Sequence, residues 1–244
     1  MLIEFKNRRA LVTGAAHGIG RAIAFALARD GAMVTGVDNR VVEPTENGLT
    51  ISTHQCDLTK RTAIDELVKS KGPFDILVHS AGGVCGQVGR PLEEISEEDW
   101  DAIVNINMKA GFFLAQAVAP HMKAQGFGRV VLISSGAGLG VSLTGIQAYA
   151  SAKAGEIGLT RQLGHELGKF GITVNSVAPG FVRSNPTTER QWESYGPEGQ
   201  KAMIERIATR RLGKVDDIVA ATLFFASEQA AWITGQVLSV DGGK

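Results

Sequence analysis

The chain has 244 residues, of which 25 are basic and 25 are acidic, so its formal net charge is zero. This balance predicts no nucleic-acid partner and no attraction to an anionic membrane surface. Apolar residues make up 44% of the chain, and its 30 glycines suit a large core joined by many tight turns. We therefore expect one soluble α/β domain spanning residues 1–244.

Further absences in the sequence favour a cytoplasmic location. No apolar run approaches the ~18 residues of a membrane span, and the first residues lack the apolar core of a secretion signal. The two cysteines, Cys56 and Cys85, have no metal-ligand spacing. We expect them to be reduced thiols, and we expect no metal site.

A glycine-rich turn near the N-terminus follows the first predicted strand, Leu11–Thr13, and an apolar-periodic helix pattern comes after it. A dinucleotide fingerprint requires this context, because glycines let the backbone approach a pyrophosphate and the helix N-terminus offers free N–H groups. The spacing is G-x-x-x-G-x-G, and the alternative interpretation is a simple tight turn. The candidate pyrophosphate-binding residues are Gly14, His17, Gly18, Ile19 and Gly20.

The second predicted strand, Met33–Val37, ends at Asp38. An acidic residue ~20 residues past the glycine turn can accept hydrogen bonds from the adenosine ribose hydroxyls. Its carboxylate would repel a 2′-phosphate, so NAD is the expected cofactor. Arg40 keeps some use of NADP open, and a plain helix N-cap or turn role for Asp38 is the alternative.

Strand-like and helix-like segments alternate along the rest of the chain. This alternation predicts a single-domain, doubly wound parallel sheet of Rossmann-like type, with about seven strands and helices on both faces. Ligands bind such sheets at the carboxyl ends of the strands. The remaining predicted strands are Thr50–Gln55, Ile76–Val78, Val130–Ser134, Thr173–Ala178 and Val237–Val240, and the helical patterns include Glu98–Lys123, Ala148–Lys169 and Val215–Ser227.

Tyr149 and Lys153 form the most informative pair in the chain. Four residues are one helical turn, so the phenol and the ammonium share a face. A nearby ammonium favours the phenolate, and a tyrosine tuned in this way can give a proton to a carbonyl oxygen or take one from an alcohol. Alone the pattern proves little, because most such pairs on helix faces are solvated.

Residues 183–200 interrupt the alternation with a polar stretch that contains Pro186 and Pro197. Inside a compact domain, such a stretch predicts a functional lid or a disordered loop. We expect a substrate lid loop around residues 183–207, with an ordinary solvated loop as the alternative. The side chains that could contact a polar, hydroxylated or carboxylated substrate are Arg190, Gln191, Trp192 and Tyr195.

Taken together and in this order, the motifs resemble those of the short-chain dehydrogenase/reductase family, in its compact bacterial NAD(P)-dependent form. The resemblance covers essentially residues 5–244. Thr13 to Gly20 match the family's T-G-x-x-x-G-I-G, and Pro179-Gly180 match its P-G turn. The family's catalytic tetrad is matched by Asn107, Ser135, Tyr149 and Lys153.

The resemblance implies a role for each matched residue. Tyr149 would be the general acid or base, while Lys153 would lower the tyrosine pKa and hold the nicotinamide ribose. Ser135 would hydrogen-bond the substrate oxygen, and Asn107 would hold a water that links Lys153 to solvent. Further cofactor contacts are implied at Asp57, Leu58, Ser80, Ala81, Gly82, Pro179, Gly180, Val182 and Ser184.

The chain departs from the family pattern in two places. His79 and Ser80 replace both asparagines of N-N-A-G, and a histidine could make some of the hydrogen bonds that pin the central strand to its neighbours. Ser135 precedes Tyr149 by fourteen residues, one more than the usual spacing. Ser134 or Gly136 could therefore occupy the catalytic place, although Ser135 is favoured because it ends the predicted strand.

The expected function is an NAD-dependent oxidoreductase that interconverts a secondary alcohol and a ketone. Its substrate would be a polar small molecule such as a polyol, sugar or hydroxy acid. One alternative is an NADP-dependent 3-oxoacyl-thioester reductase, but Asp38 and the polar lid weigh against it. The other is a non-catalytic NAD-binding sensor, but the intact tetrad weighs against that. The resemblance also implies a homotetramer formed through the long helices and the C-terminal strand.

Overall fold

The computed structural model describes residues 3–87, 89–142 and 145–244. Runs of apolar and β-branched residues form its strands, because such side chains pack well on a pleated, buried surface. The strands are β1 (Arg9–Thr13), β2 (Met33–Asp38), β3 (Thr45–Glu46), β4 (Leu49–Thr50), β5 (Ser52–Gln55), β6 (Ile76–His79), β7 (Gly128–Ile133), β8 (Ile172–Pro179) and β9 (Val237–Val240).

The main sheet is parallel, and its seven strands lie in the order β5–β2–β1–β6–β7–β8–β9. The chain runs outward from β1 to β5 and then returns to the other side of β1 at β6. Strand order therefore reverses between β1 and β6, where sheets of this kind bind ligands. At this point Thr13 lies opposite both Val37 and His79. The predicted doubly wound α/β fold is confirmed.

Helices connect the strands and cover both faces of the sheet. One π-helical turn, Asn105–Lys109, joins two of them into a continuous run. The α-helices are α1 (Gly18–Arg29), α2 (Arg61–Lys71), α3 (Glu97–Val104), α4 (Ala110–Gln125), α5 (Gln147–Leu167), α6 (Pro186–Ser194), α7 (Gly196–Arg206) and α8 (Val215–Ala226).

The core is divided by the sheet into two layers. Successive side chains of a strand point to opposite faces, so Leu11 and Val12 of β1 enter different layers. Val12 packs in the cluster that includes Ile23 of α1 and Ile218 of α8. Leu11 packs in the cluster that includes Leu114 of α4. Because both faces are covered, the strands read as continuous apolar runs.

The helical run from Glu97 to Gln125 is 29 residues long, and by length and composition alone it could cross a membrane. Asn105, Asn107 and Lys109 interrupt it, so it is not a continuous apolar run of the kind that the sequence was expected to lack. The composition has another cause here, because Leu114, Val118 and Met122 of this run are buried in the core. Trp100 and Phe112 of the same run are exposed, however, so the run also presents apolar side chains on its outer face.

Predicted and observed boundaries agree within two residues for the main strands and the long helices. A small antiparallel hairpin, β3–β4, was missed, and Thr50 belongs to it rather than to β5. Its signal was Asn47-Gly48, since both residues have positive φ (49° and 79°) and this dipeptide favours tight hairpin turns.

The predicted loop at residues 183–207 is wrong as a description of conformation, because α6 and α7 occupy most of it. Asn185 caps α6 by accepting hydrogen bonds from the N–H groups of Thr187 and Thr188, and Pro186 occupies the first turn. Proline is favoured at the start of a helix, where its missing N–H costs nothing. The two prolines that indicated a loop therefore mark helix starts instead.

Candidate active site

The glycine turn after β1 is held against the ends of two other strands. Gly14 has φ +72°, and a Cβ there would lie 2.8 Å from the backbone nitrogen of Ala81. At Gly20 a Cβ would overlap the backbone oxygen of Gly14, and at Gly18 it would lie 2.8 Å from the backbone oxygen of Ser184. At each of these positions, only glycine can lie so close to the neighbouring backbone without displacing it.

Helix α1 begins directly after this turn, with His17 at the N-cap position and Ile19 packed against the core. The His17 side chain makes no capping hydrogen bond, and the first turn carries no acidic residue. Free N–H groups and the positive end of the helix dipole therefore face the turn. This cradle fits the pyrophosphate of a dinucleotide.

Asp38, at the end of β2, is only 5% exposed. One carboxylate oxygen accepts a hydrogen bond from the Ala16 nitrogen at 3.2 Å, and the other accepts from the backbone nitrogen (3.1 Å) and Nε (3.2 Å) of Arg40. The Arg40 guanidinium also hydrogen-bonds Nε2 of His17. The contacts of Arg40 with Asp38 and His17 were not predicted, and they place a cation beside the proposed ribose site.

Asp57 follows β5 and lies close to Asp38, because the Cys56 nitrogen donates to the Asp38 carbonyl oxygen at 2.9 Å. Its carboxylate accepts hydrogen bonds from the hydroxyl (2.6 Å) and the nitrogen (3.0 Å) of Thr59. The Thr59 hydroxyl is the main cause that holds the pKa of Asp57 below its usual range. The neighbouring Leu58 is buried in the core.

A buried histidine joins the strands at the point where strand order reverses. The Asn107 carbonyl oxygen can only accept, so Nε2 of His79 carries the ring proton and donates to it at 3.1 Å. Nδ1 then accepts the hydroxyl proton of Thr13 at 2.9 Å. The Thr13 oxygen in turn accepts from the nitrogens of Ser80 and Ala81, at 3.2 and 3.1 Å. His79 thus pins β6 to its neighbours, as the sequence suggested.

Burial lowers the pKa of His79 to about 4, and the nearby positive charge of Lys153 acts in the same direction. The ring is therefore neutral at physiological pH and is fully enclosed. Its hydrogen bonds are all used for structure, which agrees with a structural rather than a catalytic histidine.

The His79 ring should make the protein lose stability in weak acid. Unfolded histidine binds a proton below pH ~6.5, whereas folded His79 binds one only near pH 4, so stability present above pH ~6.5 is lost as the pH falls to 4. The loss attributable to this ring is about 3 kcal/mol. We expect His79→Asn to lose less unfolding free energy than the wild type between pH 7 and pH 4.5, as measured by urea denaturation.

Other groups titrate in this window too, but they are common to both proteins and cancel in the comparison. His165→Asn, on the exposed side of α5, is the matched control and should behave like the wild type. An identical pH dependence of His79→Asn and the wild type would contradict the neutral buried ring.

Asn107 lies in the π-helical turn between α3 and α4, a feature often found at functional sites. Its side-chain nitrogen donates to the carbonyl oxygens of Gly83 (2.9 Å) and Ile103 (2.8 Å), and its side-chain oxygen accepts from the Gly83 nitrogen at 3.0 Å. Both amide protons are thus used: one holds the segment after β6, and the other binds the carbonyl oxygen of Ile103 in α3. A water held by Asn107 stays a prediction, and it would have to bind an oxygen atom of this residue.

The two serines after β7 have different environments. Ser134 is buried, and its hydroxyl donates to the Lys153 carbonyl oxygen at 2.9 Å. The Ser135 hydroxyl oxygen accepts from the Ala137 nitrogen at 3.2 Å, and among the described residues its own proton has no hydrogen-bond acceptor. Gly136, the other alternative, has no side chain. This geometry favours Ser135 as the residue that contacts substrate.

Lys153 is 4% exposed and lies beneath Tyr149 on α5, with Nζ 5.7 Å from the centre of the phenol ring. Nζ donates to the Ile133 carbonyl oxygen at 2.8 Å and lies 2.7 Å from Oε2 of Glu156. Burial alone would lower the pKa of Lys153, but the Glu156 carboxylate and the Tyr149 phenol outweigh it, and the pKa is raised. Glu156 was missed, although its spacing from Lys153 placed it on the same helix face.

Gly82, in the segment after β6, lies against Asn107 and near Lys153. Its φ is +153°, and a Cβ there would overlap Oδ1 of Asn107 and lie 3.7 Å from Nζ of Lys153. Gly138 packs as closely on the other side, where a Cβ would lie 2.6 Å from the Lys153 backbone. The segments after β6 and β7 are therefore held tightly against α5. These contacts bring Asn107 of the π-helical turn, and the segment that begins with Ser135 after β7, close to Lys153 of α5.

The segment after β8 leads from the site into α6. The Gly180 nitrogen, next to Pro179, donates to the Val240 carbonyl oxygen at 3.0 Å, and Val182 is buried. The Ser184 nitrogen donates to the Thr188 hydroxyl at 3.0 Å. Since the Ser184 backbone lies against Gly18, this segment closes over the glycine turn.

The candidate substrate residues of the predicted lid make contacts within it. Trp192 and Tyr195 both pack on Phe181, with ring centres 6.0 Å apart in each pair. Gln191 donates to the Tyr195 hydroxyl at 2.8 Å. Arg190 is exposed and donates to the Thr187 hydroxyl at 3.3 Å. Trp192 thus serves the packing of α6, and substrate contact by either Arg190 or Trp192 stays a prediction.

Comparisons with known proteins agree with this geometry. A family model described as Enoyl-(Acyl carrier protein) reductase matches residues 14–244. The (2S)-[(R)-hydroxy(phenyl)methyl]succinyl-CoA dehydrogenase subunit BbsD of Thauera aromatica is 38% identical, over 98% of this chain and 97% of that protein. The "Probable galactose dehydrogenase GalD" of Rhizobium meliloti is also 38% identical, over 98% and 96%.

Solved structures share the fold over the same extent. The crystal structure of a "putative 2-deoxy-d-gluconate 3-dehydrogenase" from Agrobacterium tumefaciens, with bound NADP, is 36% identical to this chain. The match covers 98% of this chain and 96% of that one, with a TM-score of 0.88.

Proposed function

Because the chain belongs to the short-chain dehydrogenase/reductase family and is an NAD(P)-dependent oxidoreductase of secondary alcohols and ketones, we propose the finer features of its reaction. NAD is the preferred cofactor, and the substrate is a polar small molecule such as a polyol, sugar or hydroxy acid. Tyr149 is the acid–base residue. Residues 1–244 form one catalytic domain, and residues 183–207 are its substrate lid.

The observation that carries this proposal is the packing of Asn107, and of the segment that begins with Ser135, against the part of α5 that carries Tyr149 and Lys153. Lys153 Nζ lies 5.7 Å from the Tyr149 ring centre, and Asn107 Oδ1 borders Gly82 beside the same ammonium. Ser135 follows β7 with a hydroxyl proton to donate. The uncapped start of α1 and the close approach of Gly14 and Gly20 fit a dinucleotide at this edge.

In alcohol oxidation, the Tyr149 phenolate takes the hydroxyl proton of the substrate. Ser135 donates a hydrogen bond to the substrate oxygen and stabilises the charge that develops on it. Lys153 favours the phenolate through its positive charge. Bound nicotinamide supplies the hydride acceptor or donor. In ketone reduction, the Tyr149 hydroxyl returns its proton to the substrate oxygen.

The substrate class is supported by the polar character of the segment after β8 and by the galactose and gluconate substrates named for two similar proteins. A thioester substrate is the second candidate. It is favoured by the (2S)-[(R)-hydroxy(phenyl)methyl]succinyl-CoA named for another relative and by the description of the matching family model.

A substrate panel tests the two classes directly. Polyols, sugars, hydroxy acids and simple secondary alcohols would be offered with NAD, and 3-oxoacyl thioesters with NADH and NADPH, with NADH or NADPH absorbance as the readout. We expect the highest kcat/KM with a polyol, sugar or hydroxy acid. A clear preference for a thioester with NADPH would replace the proposal with the second candidate.

Asp38 should make NADH bind more tightly than NADPH. Its buried carboxylate would accept hydrogen bonds from the adenosine ribose and repel a 2′-phosphate. A hydrogen bond to a charged acceptor contributes about 1.5–3 kcal/mol, so Asp38→Ala should weaken NADH binding by roughly 10- to 100-fold and narrow the difference between the cofactors. Fluorescence titration of both reduced cofactors measures this.

Arg40 provides the matched control for this prediction. Its guanidinium is bound to the Asp38 carboxylate and is the cation most able to meet a 2′-phosphate. Arg40→Ala should therefore weaken the binding of NADPH more than the binding of NADH. Equal or tighter binding of NADPH by the wild type would contradict the preference for NAD.

We also propose that the protein is a cytoplasmic homotetramer. The partly exposed helical run from Glu97 to Gln125, which includes Phe112, and the exposed Leu238 of edge strand β9 are surfaces that assembly would cover. The mass measured by light scattering at micromolar concentration should be four times that of the chain. A monomeric mass would overturn this part of the proposal.

A further inference from the structure

A fully buried carboxyl group lies below the Tyr149–Lys153 pair on α5. Glu156 has no exposed surface, and its Oε2 lies 2.7 Å from Nζ of Lys153. Seven residues separate Tyr149 from Glu156 and four separate it from Lys153, so all three side chains lie on one face of the helix. One face of α5 therefore carries a carboxyl group, an ammonium group and a phenol.

The carboxyl group has few partners other than Lys153. Among the described residues, no hydrogen bond reaches its Oε1. The hydroxyl of Thr160, one turn further along, donates to the Glu156 backbone oxygen rather than to the carboxylate. Placing a carboxylate in the interior with one ionic partner costs stability, and an apolar side chain of similar size would avoid that cost.

The charged and titratable groups around the pair come from two elements. Lys153 is the group whose charge acts on Glu156. Lys153 itself faces Tyr149 on α5 and His79 on β6, and β7 contributes the neutral Ile133 carbonyl oxygen. His79 is neutral above pH 5, because its pKa is about 4. The state of Glu156 therefore decides how much of the Lys153 charge is compensated.

Burial raises the pKa of Glu156 to about 7, against the opposing effect of the Lys153 ammonium. The carboxyl group thus changes its charge within the pH range in which dehydrogenases work. Above pH 7 it is mostly ionised and neutralises Lys153. Below pH 7 it is mostly protonated and leaves the ammonium uncompensated.

We propose that Glu156 is a positioning residue that holds the Lys153 ammonium and sets how much of its positive charge favours the Tyr149 phenolate. The inference rests on the proposed function, in which Tyr149 carries the proton and Lys153 supports it. Ionised Glu156 weakens the field of Lys153 at the phenol and so shifts phenolate formation to higher pH. Protonated Glu156 has the opposite effect.

The test uses the fact that the chain contains two tyrosines, Tyr149 and Tyr195. In a Tyr195→Phe background, which keeps the ring that packs on Phe181, ultraviolet absorbance of the phenolate reports on Tyr149 alone. Glu156→Gln is then introduced, because it removes the charge and keeps the shape. Glu166→Gln, on the exposed side of α5, is the matched control.

Glu156→Gln should lower the midpoint of phenolate formation by about one pH unit. The estimate comes from a rise of ~10 Å over seven helical residues and an effective dielectric constant of ~20. The rising limb of the pH profile for alcohol oxidation should move by the same amount, and Glu166→Gln should move neither. If Glu156→Gln does not fold, Glu156→Asp retains the charge further from Nζ and should shift the midpoint in the same direction by less.

The proposed roles of Lys153 and Glu156 can be contradicted separately. A wild-type midpoint as high as that of a free tyrosine would contradict the proposed role of Lys153. A low wild-type midpoint that neither Glu156 variant changes would overturn the role of Glu156 and leave the proposed function intact. An equal shift in Glu166→Gln would show a general charge effect and would also overturn the inference.

Discussion

Tyr149→Phe should reduce turnover by at least ~10²-fold, as expected for the loss of a positioned acid–base group. The substitution removes only the hydroxyl, so the ring still packs beside Lys153. Without that oxygen, the enzyme lacks the group proposed to take the proton of an alcohol or return one to a ketone. Steady-state kcat on the best substrate from the panel is the measurement.

Folding and cofactor binding should survive this change, because the phenol oxygen has no structural role comparable to that of Thr13 or His79. Far-ultraviolet circular dichroism and NADH fluorescence titration are the controls. Near-normal turnover would remove the acid–base role from Tyr149. A wild type that turns over no substrate of the panel would instead support the alternative of a non-catalytic NAD-binding sensor.

Lys153→Met should abolish most activity and also destabilise the protein, by about 3 kcal/mol. Methionine retains a flexible chain of similar length but removes the charge that favours the phenolate. It also removes the group that lowers the pKa of Glu156, so that pKa rises further above 7. The variant then carries a buried carboxyl group with no ionic partner.

The pH dependence of the lost stability distinguishes the effect of the unpartnered Glu156 carboxyl group from a packing defect. A carboxyl group whose pKa is raised on folding binds more protons in the folded state, so stability falls as the pH rises from ~4.3 through the folded pKa. In Lys153→Met this fall should continue beyond pH 7, whereas in the wild type the Glu156 contribution levels off there. Urea denaturation at pH 5, 7 and 9 measures the difference.

The double variant Lys153→Met/Glu156→Gln separates stability from activity. Glutamine cannot ionise, so the double variant should regain stability at pH 9 relative to Lys153→Met and lose the added pH dependence. Its activity should stay low, because the phenol still lacks its cation. Equal stability of the single and double variants at pH 9 would show that folding does not raise the pKa of Glu156.

The sequence alone determined the features that depend on spacing along the chain. Alternating apolar runs predict a parallel sheet with two covered faces, because each buried strand or helix must read as an apolar pattern of its own period. The glycine turn before α1 and the helical spacing of Tyr149 and Lys153 are equally local. These features predicted the fold, with boundaries of the main strands and long helices within two residues of those observed, and the sheet edge proposed to hold the cofactor.

The tertiary structure decided which candidate side chains are occupied by hydrogen bonds within the protein and which can still bind a substrate. Ser134 and Ser135 are adjacent and chemically identical, and only the packing of β7 against α5 shows that the first bonds the Lys153 backbone. His79 meets Thr13 and Asn107 from positions 66 and 28 residues away. No local pattern encodes such partners.

The tertiary structure also decided the pKa of Glu156 and the conformation of residues 183–207. Glu156 has an ordinary helical spacing, but its pKa depends on complete removal from water, which arises only when α5 packs on the sheet. Pro186 and Pro197 break a helix in its interior but favour its first turn, so their position relative to Asn185 and Gly196 decided the conformation of the lid. Residue type and spacing were thus readable from the chain, whereas burial and long-range partners required the folded structure.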